Sequence, residues 1–194
     1  MAERYDVLTF KGYRVFLEDF NNGTLPSILG SRLENVAKAL ETTIEGTVTK
    51  ETDITTGFEY AGIGGTSVSD GSLSIMRVGA QVYNPSGTTA FDKLQKWTDE
   101  CTGISDGTDQ AVDAGAHTKW IIEMISRGNN KFDAVAYQCI AKSFNPEGEG
   151  VNDLQKYTLG LAVYGKPIRC AVTYTPAAGT STESYAISDI YAAS

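Results

Sequence analysis

The chain has a single histidine, His117, so any catalytic arrangement that needs an imidazole must be built on it. It lies in a polar stretch among small residues, with no nucleophile motif around it. Ser-His-Asp and Cys-His arrangements need a nucleophile within reach of the histidine and a third group that orients the ring. The sequence therefore does not support a hydrolase, and one histidine excludes a metal site made of several.

Residues 160–166, Gly-Leu-Ala-Val-Tyr-Gly-Lys, match the spacing of a phosphate-binding P-loop. That loop also needs a Ser or Thr after the lysine, which holds magnesium at the start of a helix. Pro167 stands there instead, and the residues between the glycines follow a strand pattern. The glycines of residues 62–65 likewise lack the third glycine of a dinucleotide fingerprint. We attribute the P-loop spacing to chance, and residues 62–65 also open no helix.

Carboxylates are numerous, but none has the spacing of a known site. Asp106, Asp109 and Asp113 are three and four residues apart, whereas an EF-hand loop needs alternate ligands, a central glycine and a closing glutamate. The acidic pairs at residues 99–100 and 147–149 are expected by chance in so acidic a chain. We predict a protein that is not an enzyme and that uses no cofactor or metal.

Charge and composition limit the partners. The 194 residues carry a net charge of −8, which disfavours a surface that grips nucleic acid. An acidic wall that repels DNA could still serve as a conduit for it. The three widely spaced cysteines, at positions 101, 139 and 170, suit buried thiols in a reducing compartment. No apolar run approaches the roughly 20 residues of a membrane span, so we expect no membrane association.

Most of the chain has the alternation of β-strands. The clearest case is residues 131–167, which we interpret as two strands of one hairpin with a turn at residues 145–150. Further strands are predicted at residues 13–18, 72–76 and 120–125. Residues 29–40 also fit a helical spacing, but we favour a strand from about residue 36.

One helix is predicted at about residues 89–101. Thr89 and Asp92 form a variant of the capping box, and Phe91, Leu94, Trp97 and Cys101 make an apolar stripe that ends before a glycine. This stripe is interpreted as a face that packs on a sheet.

Two segments are predicted to lie outside regular structure. Residues 47–66 read as a long glycine-rich loop, and Phe58, Tyr60 and Ile63 in it are apolar side chains that we expect to dock on something. Residues 168–194 read as an extended C-terminal arm rich in Ser and Thr. Residues 1–167 then form a single β domain.

The order of these features resembles that of the major tail proteins of long, non-contractile phage tails. The resemblance rests on the helix at residues 89–101 and on four short stretches after it: Lys119–Met124, Lys131–Ala134, Ser143–Phe144 and Tyr164–Pro167. It covers roughly residues 70–167.

The resemblance implies a mainly β fold, a β-sandwich or half-barrel with one flanking α-helix, in which six copies join their inner sheets into a ring with a continuous inner β-barrel. Rings would stack into a tube whose acidic lumen conducts double-stranded DNA without binding it specifically. It further implies a tape-measure protein and tail-terminator or distal tail proteins as partners. The protein would be assembled in the host bacterial cytoplasm and reside in the virion tail. Phe58, Tyr60 and Ile63 become candidate contacts between rings.

Two other functions stay open at this point. A ring or tube protein of a contractile-injection or secretion system would share the fold. A monomeric β-sandwich module could bind a ligand such as carbohydrate on exposed aromatic side chains, for example Tyr60 or Tyr83.

Overall fold

A computed structural model of the chain describes residues 12–52, 59–78, 82–104, 117–148, 155–178 and 181–191. Within these ranges the fold is mainly β, with one α-helix, α1 (Ala90–Thr102). The strands are β1 (Arg14–Asp19), β2 (Ile28–Leu29), β3 (Arg32–Leu33), β4 (Val36–Glu41), β5 (Ile44–Thr52), β6 (Glu59–Val68), β7 (Gly71–Met76), β8 (Lys119–Gly128), β9 (Lys131–Glu147), β10 (Lys156–Thr175) and β11 (Ser184–Asp189). No helix of the described residues is long and apolar enough to span a membrane.

The long hairpin of β9 and β10 organises the molecule, because each strand takes part in two neighbouring parts of the sheet. β10 pairs with β7 through residues 156–161 and with β11 through residues 170–175. Between these parts the register of β10 against β9 shifts, between Tyr164 and Ile168. Gly165 lies in that shift with φ of 70°, a left-handed conformation that glycine adopts without steric cost.

The open end of the hairpin, where residues 168–173 of β10 pair with residues 131–136 of β9, belongs to a nearly closed barrel. The strand order of this barrel is β2-β11-β10-β9-β8-β1-β3. Its ends are joined because β2 and β3 follow each other directly along the chain. Glu18 fastens this link, since its Oε1 accepts hydrogen bonds from the backbone amides of Gly30 (2.7 Å) and Ser31 (2.8 Å). The interior is filled by one apolar cluster, which includes Phe16, Trp120 and Met124.

A second apolar cluster lies on the other face of the sheet, beneath α1. It includes Leu73, Ile75, Leu159 and Leu161 from the strands and Trp97 from the helix. Odd-numbered residues 15 and 17 of β1 enter this cluster while Phe16 enters the barrel, so this strand is buried on both faces.

The predicted helix is confirmed, with its cap. The Thr89 hydroxyl accepts a hydrogen bond from the Asp92 amide (3.1 Å) and donates one to the Asp92 carboxylate (2.6 Å). Gly103 ends the helix in a left-handed conformation, φ 74°. Leu94, Trp97 and Cys101 are buried as the stripe predicted.

Two predictions about irregular segments were wrong. Residues 168–194 are not an extended arm, because β10 continues to Thr175 and β11 adds Tyr185 and Ile187 to the barrel interior. Residues 47–66 are not a long loop, since most of them lie in the β5–β6 hairpin. The alternation of apolar and polar residues that marks a strand is weak in both segments. Ser and Thr in the first segment and glycine in the second do not distinguish a buried face from an exposed one.

Candidate assembly surface

The residues whose side chains could take part in catalysis or ligand binding have structural roles in the fold. His117 contributes its backbone carbonyl, which accepts a hydrogen bond from Trp97 Nε1 at 2.7 Å. All three cysteines are free and buried, as predicted. Burial raises the pKa of the Cys139 thiol to about 12 and that of the Cys170 thiol to about 11, so both are protonated at neutral pH. Residues 160–166 lie within β10, as the strand interpretation required.

Those of the sequence's singled-out acidic residues that the structure describes do not converge. Asp99 accepts a hydrogen bond from Gln95 Nε2 (2.8 Å) on the same helix, while Glu147 lies on the β9 strand. Asp106, Asp109 and Asp113 lie outside the described residues. Where the chain is described, no group of three His, Cys, Asp or Glu side chains could hold a metal ion.

The feature with functional potential is a four-stranded sheet with two unlike faces. Its order is β4-β7-β10-β9, and every pair is antiparallel. One face packs into the apolar cluster beneath α1 through Leu73, Leu159 and Leu161. The opposite face is mainly polar. Its centre consists of small residues, which include Ser72, Ser74, Ser143, Thr158 and Gly160, and the register also places Met76 and Ile140 on this face.

A hydroxyl cluster forms the middle of the polar face. Ser74 Oγ and Thr158 Oγ1 are 2.8 Å apart, and both donate to Glu147 Oε2, at 3.3 and 2.6 Å. The bond from Thr158 is the main cause that lowers the pKa of Glu147 below its usual value. A Cβ added to Gly160 would stand 2.6 Å from Ser143 Oγ, so a larger side chain would not fit here without a shift of Ser143. Glycine at this position keeps the centre of the face nearly flat.

Charges on and beside the polar face are balanced and paired. Lys38 Nζ lies 2.9 Å from Glu41 Oε1, and Lys142 Nζ lies 2.7 Å from Asp70 Oδ2. Lys156 of β10 lies directly opposite Glu147 of β9 in the register. The described charges here are therefore three basic and three acidic, although the whole chain carries −8.

Both edges of this sheet are open within the described structure. β4 pairs with β7 alone, and the pairing of β8 with β9 ends at Cys139, so residues 140–147 of β9 have β10 on one side only. Open edges present rows of unpaired N–H and C=O groups, which another strand can join. Sequence patterns identified these strands but not their edges, because edges depend on how distant strands pair.

The β5–β6 hairpin is a separate two-stranded sheet. Of the three residues predicted to make contacts, Tyr60 pairs with Glu51 and Ile63 pairs with Val48 in its register. Phe58 lies outside the described residues, as do the side chains of Tyr60 and Ile63. The structure thus brings Tyr60 and Ile63 into one hairpin strand, and their role stays a prediction.

Tyr83, named above as a possible platform for a ligand, lies against the helix. Its ring is half-buried and meets the Phe91 ring edge to face, with centroids 6.4 Å apart. Phe91 in turn contacts Tyr157 and Phe144, at 4.9 and 5.6 Å between centroids. The ring belongs to an aromatic cluster in the subunit, which explains its presence without a ligand.

Solved structures with this fold include three chains from tube-containing assemblies. A chain of the sheath–tube complex of the PVC extracellular contractile injection system, in its extended state, has a TM-score of 0.56 and 11% identity, over 86% of this chain and 93% of that one. A chain of the PVC sheath/tube terminator, also extended, has a TM-score of 0.54 and 14% identity, over 87% and 99%. A chain of the tube-terminating cap of the anti-feeding prophage has a TM-score of 0.56 and 14% identity, over 87% and 93%.

At these identities the likeness is one of fold. No family model matches the sequence, and neither does any curated protein.

Proposed function

We propose that this chain is a structural subunit of a tail tube, in which copies join edge to edge. The observation that carries the proposal is the four-stranded sheet that has one buried face, one polar face and two open edges. A sheet of this kind is complete only when both edges find partners. The fold likeness to chains of tube-containing assemblies supports the same conclusion.

The two edges are complementary in direction. Since β4, β7, β10 and β9 alternate in direction, the strands at the two ends run oppositely. Around a rotational axis, β9 of one copy therefore meets β4 of the next copy antiparallel. Repetition of this contact closes a barrel that leaves no free edge in the ring.

The dimensions suit a conduit. Six copies of a four-stranded sheet, the number that the resemblance implies, make a barrel of 24 strands. At about 4.8 Å per strand its circumference is about 115 Å and its diameter about 37 Å, before strand tilt widens it. This exceeds the width of a DNA double helix, so we propose that rings stack into a tube through which double-stranded DNA passes.

The polar face would line this lumen, because the other face is packed beneath the helix. Its charges are paired and balanced, so the acidic lumen expected from the net charge does not fit this face. A wall of hydroxyls, glycine and neutral ion pairs offers DNA neither strong attraction nor strong repulsion. Low friction then comes from weak binding and not from an acidic coat.

Partners and location follow from the same proposal. Stacked rings leave an open interface at each end of a tube, which terminator and distal tail proteins would cap, and a tape-measure protein would occupy the lumen during assembly. The protein would then reside in a virion tail. A role as a scaffold subunit, and not as an enzyme, accounts for a surface built from edges and hydroxyls.

A tube protein of a contractile injection system is the second candidate, because two of the three fold likenesses are to chains of an extracellular contractile injection system. The two candidates differ in whether a sheath surrounds the tube. A sheath gene beside this one would favour the contractile system, and its absence beside a tape-measure gene would favour the non-contractile tail.

Electron microscopy of the concentrated protein, with sizing chromatography, tests the proposed function. We expect hollow tubes with six-fold end-on views, and a soluble fraction that stops growing above a critical concentration. A sharp monomer at every concentration and ionic strength, with affinity for a sugar, would instead identify a ligand-binding module.

A further inference from the structure

The edge strand β4 pairs irregularly with β7. From Val36 to Lys38 two steps in β4 match one step in β7, and from Lys38 to Glu41 three steps match two. Each shift inserts one extra residue, as a β-bulge does. A bulged edge is twisted away from neighbours, and proteins use this device to stop sheets from adding strands.

One amide of the bulged segment bonds outside the ladder. The Leu40 N–H donates to the Tyr13 hydroxyl at 2.9 Å, and Tyr13 precedes β1 on a different part of the sheet. The Leu40 side chain is buried in the apolar cluster beneath α1, so this amide has little access to water. Without Tyr13 the bulge would leave a buried donor unsatisfied, which is costly.

Tyr13 is itself held in place from behind. Its hydroxyl donates to Glu123 Oε2 at 3.0 Å, while the Tyr137 hydroxyl donates to Glu123 Oε1 at 3.1 Å. Glu123 lies on β8 and Tyr137 on β9, in the body of the sheet. The carboxylate therefore orients Tyr13 toward β4, and Tyr137 supports the same carboxylate without contact to β4.

We propose that Tyr13 restrains assembly: its hydroxyl holds the Leu40 amide in the bulged edge and so keeps the free subunit from accepting β9 of another copy. This inference rests on the proposed function. A regular ladder between β4 and an incoming strand requires the bulges to straighten, and the Leu40 amide must then leave Tyr13. Assembly thus begins only when the gain from edge pairing exceeds the loss of this bond.

The Tyr13→Phe variant tests the restraint, because it keeps the ring and removes the hydroxyl. Loss of one hydrogen bond that favours the bulged state lowers the critical concentration for tubes roughly two- to tenfold. Tyr137→Phe is the matched control, since it removes one bond to the same carboxylate and should leave the critical concentration unchanged. A tyrosine with only a structural role would give the opposite result, weaker assembly in Tyr13→Phe.

The outcomes separate this inference from the proposed function. Tubes from the wild type with an equal or higher critical concentration in Tyr13→Phe overturn the restraint alone. Tubes from neither protein overturn both.

A measurement on the wild type replaces the variant if Tyr13→Phe does not fold. In protein labelled with ¹³Cζ-tyrosine, the Tyr13 resonance should shift when free subunits become tubes, while the Tyr137 resonance should not. A Tyr13 resonance that is identical in both states overturns the restraint.

Discussion

At the scale of single residues, glycine at position 165 makes the change of register in β10 possible. Its φ of 70° lies in the left-handed region, and the shift it accompanies separates the part of β10 in the four-stranded sheet from the part in the barrel. The sequence shows this glycine, but its conformation is a consequence of how β10 meets β9.

Replacing Gly165 by alanine should lower the free energy of unfolding by about 1–2 kcal/mol, the cost of a left-handed conformation for an L-residue. Denaturant unfolding measures it. Gly160→Ala is the matched control. Its new Cβ would stand 2.6 Å from Ser143 Oγ, much as that of Gly165→Ala would stand 2.5 Å from Oε1 of the Gln138 amide, whereas the φ of Gly160 is not positive. Equal losses in the two variants would show that φ is not the cause.

Glu123 is the buried carboxylate between Tyr13 and Tyr137. Burial raises its pKa, although the two tyrosine hydrogen bonds oppose this. The folded state therefore favours the protonated carboxyl. The resulting stabilisation is complete below the unfolded pKa of about 4.3 and is lost as the pH rises through the higher folded pKa.

The Glu123→Gln variant has no charge at any pH, so it should gain stability relative to the wild type as the pH rises across that window. Urea unfolding of both proteins at several pH values between about 4.3 and 7 measures the difference. A difference in unfolding free energy that stays constant over this range would contradict the raised pKa.

Among the elements, the β5–β6 hairpin differs most from its prediction. Gly62, Gly64 and Gly65 suggested a loop, whereas residues 59–68 form a strand. Strand identity here comes from cross-strand pairing, which one strand's sequence does not reveal. The hairpin pairs with no other strand of the described structure, so it stays our proposed contact between rings.

Changing Phe58 and Tyr60 together to serine should leave the circular dichroism of the monomer unchanged and weaken the stacking of rings. Each aromatic side chain buried at an interface contributes about 1.5–3 kcal/mol, so loss of both should raise the concentration needed for tubes at least about a hundredfold. Tyr191→Ser removes an aromatic ring that is 76% exposed in the subunit and serves as the control. Tubes of normal yield from the double variant would remove the hairpin from the stacking contact.

At the scale of the whole molecule, local patterns predicted the elements that bury one clear face. The helix with its threonine cap and the strands around Leu159 and Ile121 belong to this group. The closing of the barrel by residues 28–33 was not predictable, because two-residue strands have no periodicity. The hydroxyl cluster of the candidate surface was missed for a related reason, since Ser74, Thr158 and Glu147 meet only through pairing.

The net charge of the chain differs from the charge of the polar face that we propose as the lumen wall. The chain carries −8, yet the described charges on and beside the polar face cancel. Total charge reports on the whole surface, whereas passage through a tube depends on one face of one sheet. The wall that we propose is neutral, and DNA would move along it without an electrostatic barrier.

Cross-linking of the two open edges tests whether copies join through β4 and β9. The variant Ala37→Cys with Asn145→Cys places one exposed thiol on β4 and one on β9, while all three native cysteines are buried. Under assembly conditions, a flexible bis-maleimide should give a ladder of covalent oligomers that ends at the closed ring, which we predict to be six. Each single variant should give no more than dimers. Full-length tubes without a ladder would show that copies join through other surfaces, and the edge-to-edge account would be wrong.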